Sequence, residues 1–224
     1  MCRISASVVL FAISLSAVAQ QATPGLGEYL RDHWWGLSRD EVVSLFDAEA
    51  VPDLVAMLHS ETPYCGAVVG MLVIVGDERA VDALIAFVET PFADPALANV
   101  YESARGAAIG GLGELVRRIG SERALTYLVD GLTPDVWNRR NVRGVAGWTK
   151  VYEEYDLLLS EYAIHGLAYS GDARAGEALR SLQRSPTPEQ SRLRKGLDKT
   201  LEDWLEIHRR RAAEPPSEGL EPGK

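Results

Sequence analysis

Four histidines, His33, His59, His165 and His208, and the internal cysteine Cys65 are the residues of this chain best suited to hold a metal or attack a substrate. Their spacing argues against both. A metal site needs several His, Cys or carboxylate ligands converging, and the sequence has no HExxH or CxxC run. Glu161 and His165 share a helix face at i,i+4, which is either half a metal site or a plain helical pair. No strand-turn-helix nucleophile elbow is present, and Gly110, Gly111 and Gly113 lie inside a helical pattern, where they suit close packing or a break better than phosphate binding. Cys65, next to Gly66 and Ala67, reads as a small buried hydrophobe. The expectation is a chain without catalytic residues, metal or cofactor.

Binding chemistry is better represented. The segment 133–155 gathers Trp137, Arg139, Arg140, Arg143, Trp148, Lys150, Tyr152 and Tyr155 in an otherwise acidic protein. Trp, Tyr and Arg dominate binding hot spots, so Trp137, Arg139, Arg140, Arg143, Trp148, Lys150 and Tyr152 form the candidate partner surface. The alternative is that Trp137, Val142, Val145 and Trp148 fold inward to plug irregular stacking while the arginines stay solvated. His33-Trp34-Trp35 is a second aromatic cluster, either a peptide-binding ledge or packing for the N-terminal segment.

The elements that position these residues follow from a nine-residue phrase found three times: GDERAVDAL from Gly76, GSERALTYL from Gly120 and GDARAGEAL from Gly171. Each glycine is placed to end one helix in the left-handed conformation, and Asp77, Ser121 or Asp172 to cap the next. Apolar residues one turn apart precede each glycine, and Ala80/Leu84, Ala124/Leu128 and Ala175/Leu179 follow it. This predicts antiparallel helix pairs. The copies are 44 and 51 residues apart, so the 133–155 segment is an insertion. Arg79, Arg123 and Arg174 recur near the start of each second helix, where a cation opposes the helix dipole, and a ladder onto acids of the neighbouring repeat is expected to hold them.

Ser38 with Glu41 marks an earlier helix start and Pro52 to His59 its short partner. Thr62-Pro63, Asp94-Pro95, Thr133-Pro134 and Thr187-Pro188 predict further starts. Leu193, Leu197, Leu201, Trp204 and Leu205 share one stripe, which predicts a capping helix over 186–212 with Arg209, Arg210 and Arg211 solvated at its end. The Pro- and Glu-rich 213–224 reads as a disordered tail.

Residues 1–19 read as a signal peptide: Arg3, an apolar Val8 to Leu15, and Ala17-Val18-Ala19 before a cut near Ala19. The apolar run is too short to span a bilayer, so no transmembrane anchor is expected after processing, and the destination is periplasmic or secreted. Removing this segment takes away one arginine and no acid, so the net charge moves from −9 to −10. That disfavours nucleic acid as a partner. Residues 20–37 form an N-terminal segment, 38–185 the repeats.

The glycine, cap, arginine and alanine offsets resemble the HEAT-like repeats of phycobilin lyase subunits, over about residues 38–185. The resemblance implies an all-α, HEAT-like α-solenoid of stacked antiparallel helix pairs with a C-terminal capping helix. It says little about activity, because related repeats support chromophore attachment, iron-dependent hydroxylation, base excision and plain protein binding. The hydroxylases use repeated His-Glu pairs, and no histidine here is followed by Glu. The expected function is therefore a non-catalytic protein-binding scaffold of the cell envelope or the exterior, with an acidic protein or a glycan as its partner. The alternative is a lyase-type enzyme or an accessory subunit built on the same repeats.

Overall fold

A computed structural model describes residues 25–32, 38–60, 63–92, 94–144 and 154–214. The segment 1–19 expected to be a signal peptide, His33-Trp34-Trp35, Trp148, Lys150, Tyr152 and the stretch from 215 lie outside the described residues. The described residues are helical, with no strand among them. In chain order the helices are α1 (Leu26–Asp32), α2 (Arg39–Leu45), α3 (Val51–Leu58), α4 (Cys65–Val75), α5 (Glu78–Glu89), α6 (Ala98–Ile119), α7 (Glu122–Asp130), α8 (Pro134–Arg139), α9 (Tyr155–Ser170), α10 (Ala173–Arg184) and α11 (Pro188–Ala213). None of them is long and apolar enough to cross a membrane. α1 falls in the N-terminal segment, and its Tyr29 and Leu30 are buried in the core.

Each repeated phrase makes a tight turn between two helices. Asp77, Ser121 and Asp172 accept hydrogen bonds from the first free amides of α5, α7 and α10, which offsets part of the cost of starting a helix. Gly120 and Gly171 adopt the expected left-handed conformation, at φ 68° and 64°. Gly76 does not: its φ is −66° and its ψ 160°. Glycine is needed there for space, since a Cβ would lie 2.1 Å from the Leu72 carbonyl oxygen and 2.3 Å from the Ala80 methyl. Arg118 of α6 donates to the Gly76 and Val73 carbonyls, placing a cation at the C-terminal end of α4 where the dipole favours it. Of the proline-marked starts, Pro134 and Pro188 open α8 and α11, whereas Pro95 opens only a 3-10 turn ahead of α6.

The first helices of successive pairs, α4, α6 and α9, pack side by side, and α11 follows on α9. Close approach depends on small residues. A Cβ on Gly113 of α6 would stand 1.9 Å from the Gly166 carbonyl oxygen of α9, and one on Gly111 would stand 2.3 Å from Val73 of α4. Ala80, Ala124 and Ala175 are fully buried on the inner faces of the second helices, with Leu84, Leu128 and Leu179 filling the core. Leu193, Leu197, Leu201 and Leu205 bury the predicted stripe of α11. The Cys65 thiol is buried, and that burial pushes it up to about 11, which keeps it protonated at neutral pH.

The arginine ladder is present on two of its three rungs. Arg123 meets Asp82 of the preceding pair at 2.9 Å, and Arg174 meets Glu122 at 2.6 Å. Arg79 instead donates to the Ala48 carbonyl at 2.8 Å and pairs with Asp77 of its own turn. The hydrogen bond from Arg79, ahead of the opposing effect of burial, holds the Asp77 carboxyl below its ordinary 3.8. Its stabilisation is therefore full above the unfolded value and is lost as pH falls through the lower folded value. Asp77→Asn keeps a capping side chain without the titration. Its thermal stability is expected to fall less steeply than the parent's as pH drops below 3.8, as read by circular dichroism melts.

Candidate functional site

The described part of the candidate binding segment divides into inward- and outward-facing side chains. Thr133 and Pro134 start α8, which carries Trp137 inward. Trp137 is fully buried; its indole N–H is shared between the Gly131 carbonyl and Ser160 Oγ, each at 3.0 Å, and its ring meets Tyr127 edge-on. It is therefore a packing residue and leaves the partner surface. The physical reason is that Gly131 leaves room for the ring, since a Cβ there would lie 2.7 Å from it. Val142 is buried with it, so the inward alternative describes both.

Arg140 is mostly covered. Its guanidinium lies 3.9 Å from the centre of the Tyr127 ring, with Glu89 at 3.7 Å and Asp130 at 3.5 Å. It ties α5, α7 and α8 together and is partly neutralised there, so it is a poor anchor for the acidic partner expected from sequence. Arg139 is exposed. Arg143 is exposed too and leans on the Asn138 and Asn141 side chains. Asn141 takes a left-handed φ of 56° that turns the chain after α8.

Two depressions share Asp130 and Arg140. The larger, of about 520 Å³, lies between α5 and α7, with Ile85 and Tyr127 in its lining and Glu89, Glu122 and Thr126 beside them. The second, of about 410 Å³, continues onto α8 at Val136 and Arg139.

Between Thr90, Arg143 and Tyr155 lies a polar cluster that sequence reasoning missed. Arg105 of α6 is fully buried and Glu102 is 4% exposed. Arg105 Nη1 donates to Glu102 at 3.1 Å, to the Arg143 carbonyl at 2.8 Å and to the Tyr155 hydroxyl at 2.8 Å, while Nη2 donates to the Thr90 carbonyl at 3.1 Å. The Tyr155 hydroxyl donates in turn to Glu102. Burial pushes that hydroxyl well above its ordinary value, against the pull of the Arg105 charge, so it stays protonated and available as a donor. Phe92, stacked on Tyr101, covers the guanidinium. One buried cation thus gathers the end of α5, the backbone just before residue 144 and the first residue of α9. A signal was available: Glu102 and Arg105 fall on the same 3.6-residue stripe as Ala98, Tyr101, Ala108, Ile109 and Leu112. A charged i,i+3 pair on an apolar stripe marks a buried pair.

No protein-family model matches this chain, and no curated protein or solved structure matches it either. Among the described residues no group of three or more His, Cys, Asp or Glu is arranged to hold a metal ion. His165 packs against Trp204 at 4.0 Å and meets Tyr162 edge-on, and burial lowers the proton affinity of its imidazole. Burial raises the Glu161 carboxyl beside it on α9.

Proposed function

We propose that the protein is a non-catalytic protein-binding scaffold whose helix pairs stack as HEAT-like repeats closed by α11, and that its partner lies in the groove between α5 and α7, running onto α8. The observation that carries this reading is the groove itself. It is open and is lined by residues of α5 and α7, the second helices of two successive pairs. Arg139 stands at its α8 end, and the Arg105 cluster braces the chain on either side of the insertion. Concave surfaces between repeats are where such scaffolds receive partners. The cross-pair contacts of Arg123 and Arg174 support the stacking. The apolar leader supports export; amino-terminal sequencing of the protein from an envelope fraction should begin at Gln20 if the cut follows Ala19.

Thr126 tests the binding surface because it is exposed on α7 and lines the groove. Thr126→Trp fills the groove without entering the core. Tagged parent and variant are used to capture partners from a native envelope extract, and a captured protein is then purified and titrated against both. A partner that binds the parent and weakens at least ~30-fold with a normally melting variant supports the reading. Equal affinity for both forms places binding elsewhere.

A further inference from the structure

Two remote corners of the molecule carry opposite charge. Residues 178–197, the end of α10 and the start of α11, hold five Lys and Arg against one acid, whereas residues 38–60, spanning α2 and α3, hold five Asp and Glu against one Arg. Neighbouring charges do not cancel the basic excess. Glu189 lies within reach of the Arg139 charge, and Arg192 is shared between Glu154 at 3.3 Å and Asp156 at 3.4 Å. Arg180, Arg184, Arg194 and Lys195 remain, and among the described residues none of them forms an ion pair. The excess fades toward Glu177 and Asp198, so it centres on the turn joining the two helices. At the acidic corner Arg39 is held by Glu114 of α6 and Arg79 by Asp77, while Asp40, Asp47, Glu49 and Asp53 are exposed. The corners cannot meet within one molecule. α2 and α3 pack on α4 and α5, and α10 and α11 on α7, α8 and α9. Ala48 sits beside Arg79 at the edge of the tight turns, whereas Arg192 reaches the start of α9, the end away from its Gly171 turn.

We propose that the basic corner at the α10–α11 turn receives the acidic α2–α3 corner of a second copy of this chain, so that copies associate head to tail. This contact goes beyond the scaffold reading and does not depend on it. Its warrant is charge complementarity: the surface that fits an exposed, unpaired group of cations is present on the same chain, at a place only another molecule can bring to it. The net charge of −9 opposes the approach of two copies in other orientations, which keeps the contact weak and selects the one in which unlike corners touch. At about 0.1 M salt the Debye length is about 10 Å, so the repulsion between distant parts is screened while the touching corners still attract. Because two different surfaces meet, the association is heterologous and leaves a free corner at each end for further copies.

Sedimentation velocity of the full chain over a concentration series tests this directly. At about 0.1 M salt the mean sedimentation coefficient is expected to climb with concentration without levelling at a dimer, and at about 1 M salt to return to the monomer value. Arg180→Glu/Arg184→Glu/Lys195→Glu gives a chain acidic at both corners, and Glu49→Lys/Asp53→Lys one basic at both. Each alone should associate at least about tenfold more weakly than the parent, with thermal melts showing that both fold. Mixed in equal amounts they should associate again, since each then offers the corner the other lacks. A parent that stays monomeric, association that neither variant weakens, or variants that fail to recover on mixing overturns the proposal. Vesicles of phosphatidylglycerol are the second probe: a parent that is monomeric in solution yet bound to them, and released by the arginine and lysine reversals, assigns the basic corner to an anionic membrane and overturns it too.

Discussion

Arg105→Ala is expected to destabilise the protein by about 3–5 kcal/mol, because it leaves the Glu102 carboxylate buried without its cation. Glu102 is 4% exposed, too little for water to replace the lost partner. The same substitution removes the donor to the Thr90 and Arg143 carbonyls and to the Tyr155 hydroxyl, which adds unsatisfied acceptors to an unpaired charge. A typical domain has only about 5–15 kcal/mol to lose, so urea denaturation followed by circular dichroism should show a large shift in midpoint. The diagnostic comparison is the double variant Glu102→Leu/Arg105→Met. Removing both charges together is expected to cost less than removing the arginine alone, since buried ion pairs are often replaceable by apolar groups of similar size. A double variant worse than Arg105→Ala would mean that the hydrogen bonds to the insertion, and not the stranded charge, dominate. A loss below ~1 kcal/mol for Arg105→Ala would contradict the buried pair itself.

The second large effect belongs to one turn of α6. Gly113→Ala puts a methyl 1.9 Å from the Gly166 carbonyl oxygen, and neither group is the flexible end of a side chain. The α6 and α9 backbones must separate, and the cost should reach about 3 kcal/mol, at the upper end for overpacking. Gly110, three residues earlier in the same helix, has nothing within 4 Å of an added methyl. There the change to alanine should stabilise by about 0.5–1 kcal/mol through helix propensity alone. Thermal melts of the two variants beside the parent are therefore expected to move in opposite directions. A Gly113→Ala variant as stable as the parent would refute the close crossing.

Both effects show what was legible in the sequence. The repeated phrase located the α4/α5, α6/α7 and α9/α10 turns and their caps, because glycine and capping residues act locally and leave fixed offsets. The stripe on α11 and the rungs at Arg123 and Arg174 were legible for the same reason: each depends on a period or on recurrence. Gly76 shows the limit. Its type was read correctly and its conformation wrongly, since the space it needs is set by Leu72 and Ala80 and not by a left-handed turn. Trp137 shows it again, because an aromatic residue's inward or outward direction depends on the room left by Gly131, a feature no spacing rule reports. The Glu102/Arg105 pair left a trace on the apolar stripe of α6, but its partners at Thr90, Arg143 and Tyr155 are too far apart in sequence to leave one. The groove likewise exists only after α5, α7 and α8 are brought together.

His208, near the end of α11, is 4% exposed, and its Nε2 lies 2.8 Å from the Asp172 carbonyl oxygen; the oxygen only accepts, so that nitrogen carries the proton. Its ring also fills the space above Gly176, where a Cβ would lie 2.4 Å away. The α9–α10 turn is therefore completed by a side chain that the ribosome makes more than thirty residues later. During synthesis α4 to α7 can already pack while α9 and α10 wait with an apolar face uncovered, which makes the emergence of α11 the interval in which a nascent chain most needs a chaperone.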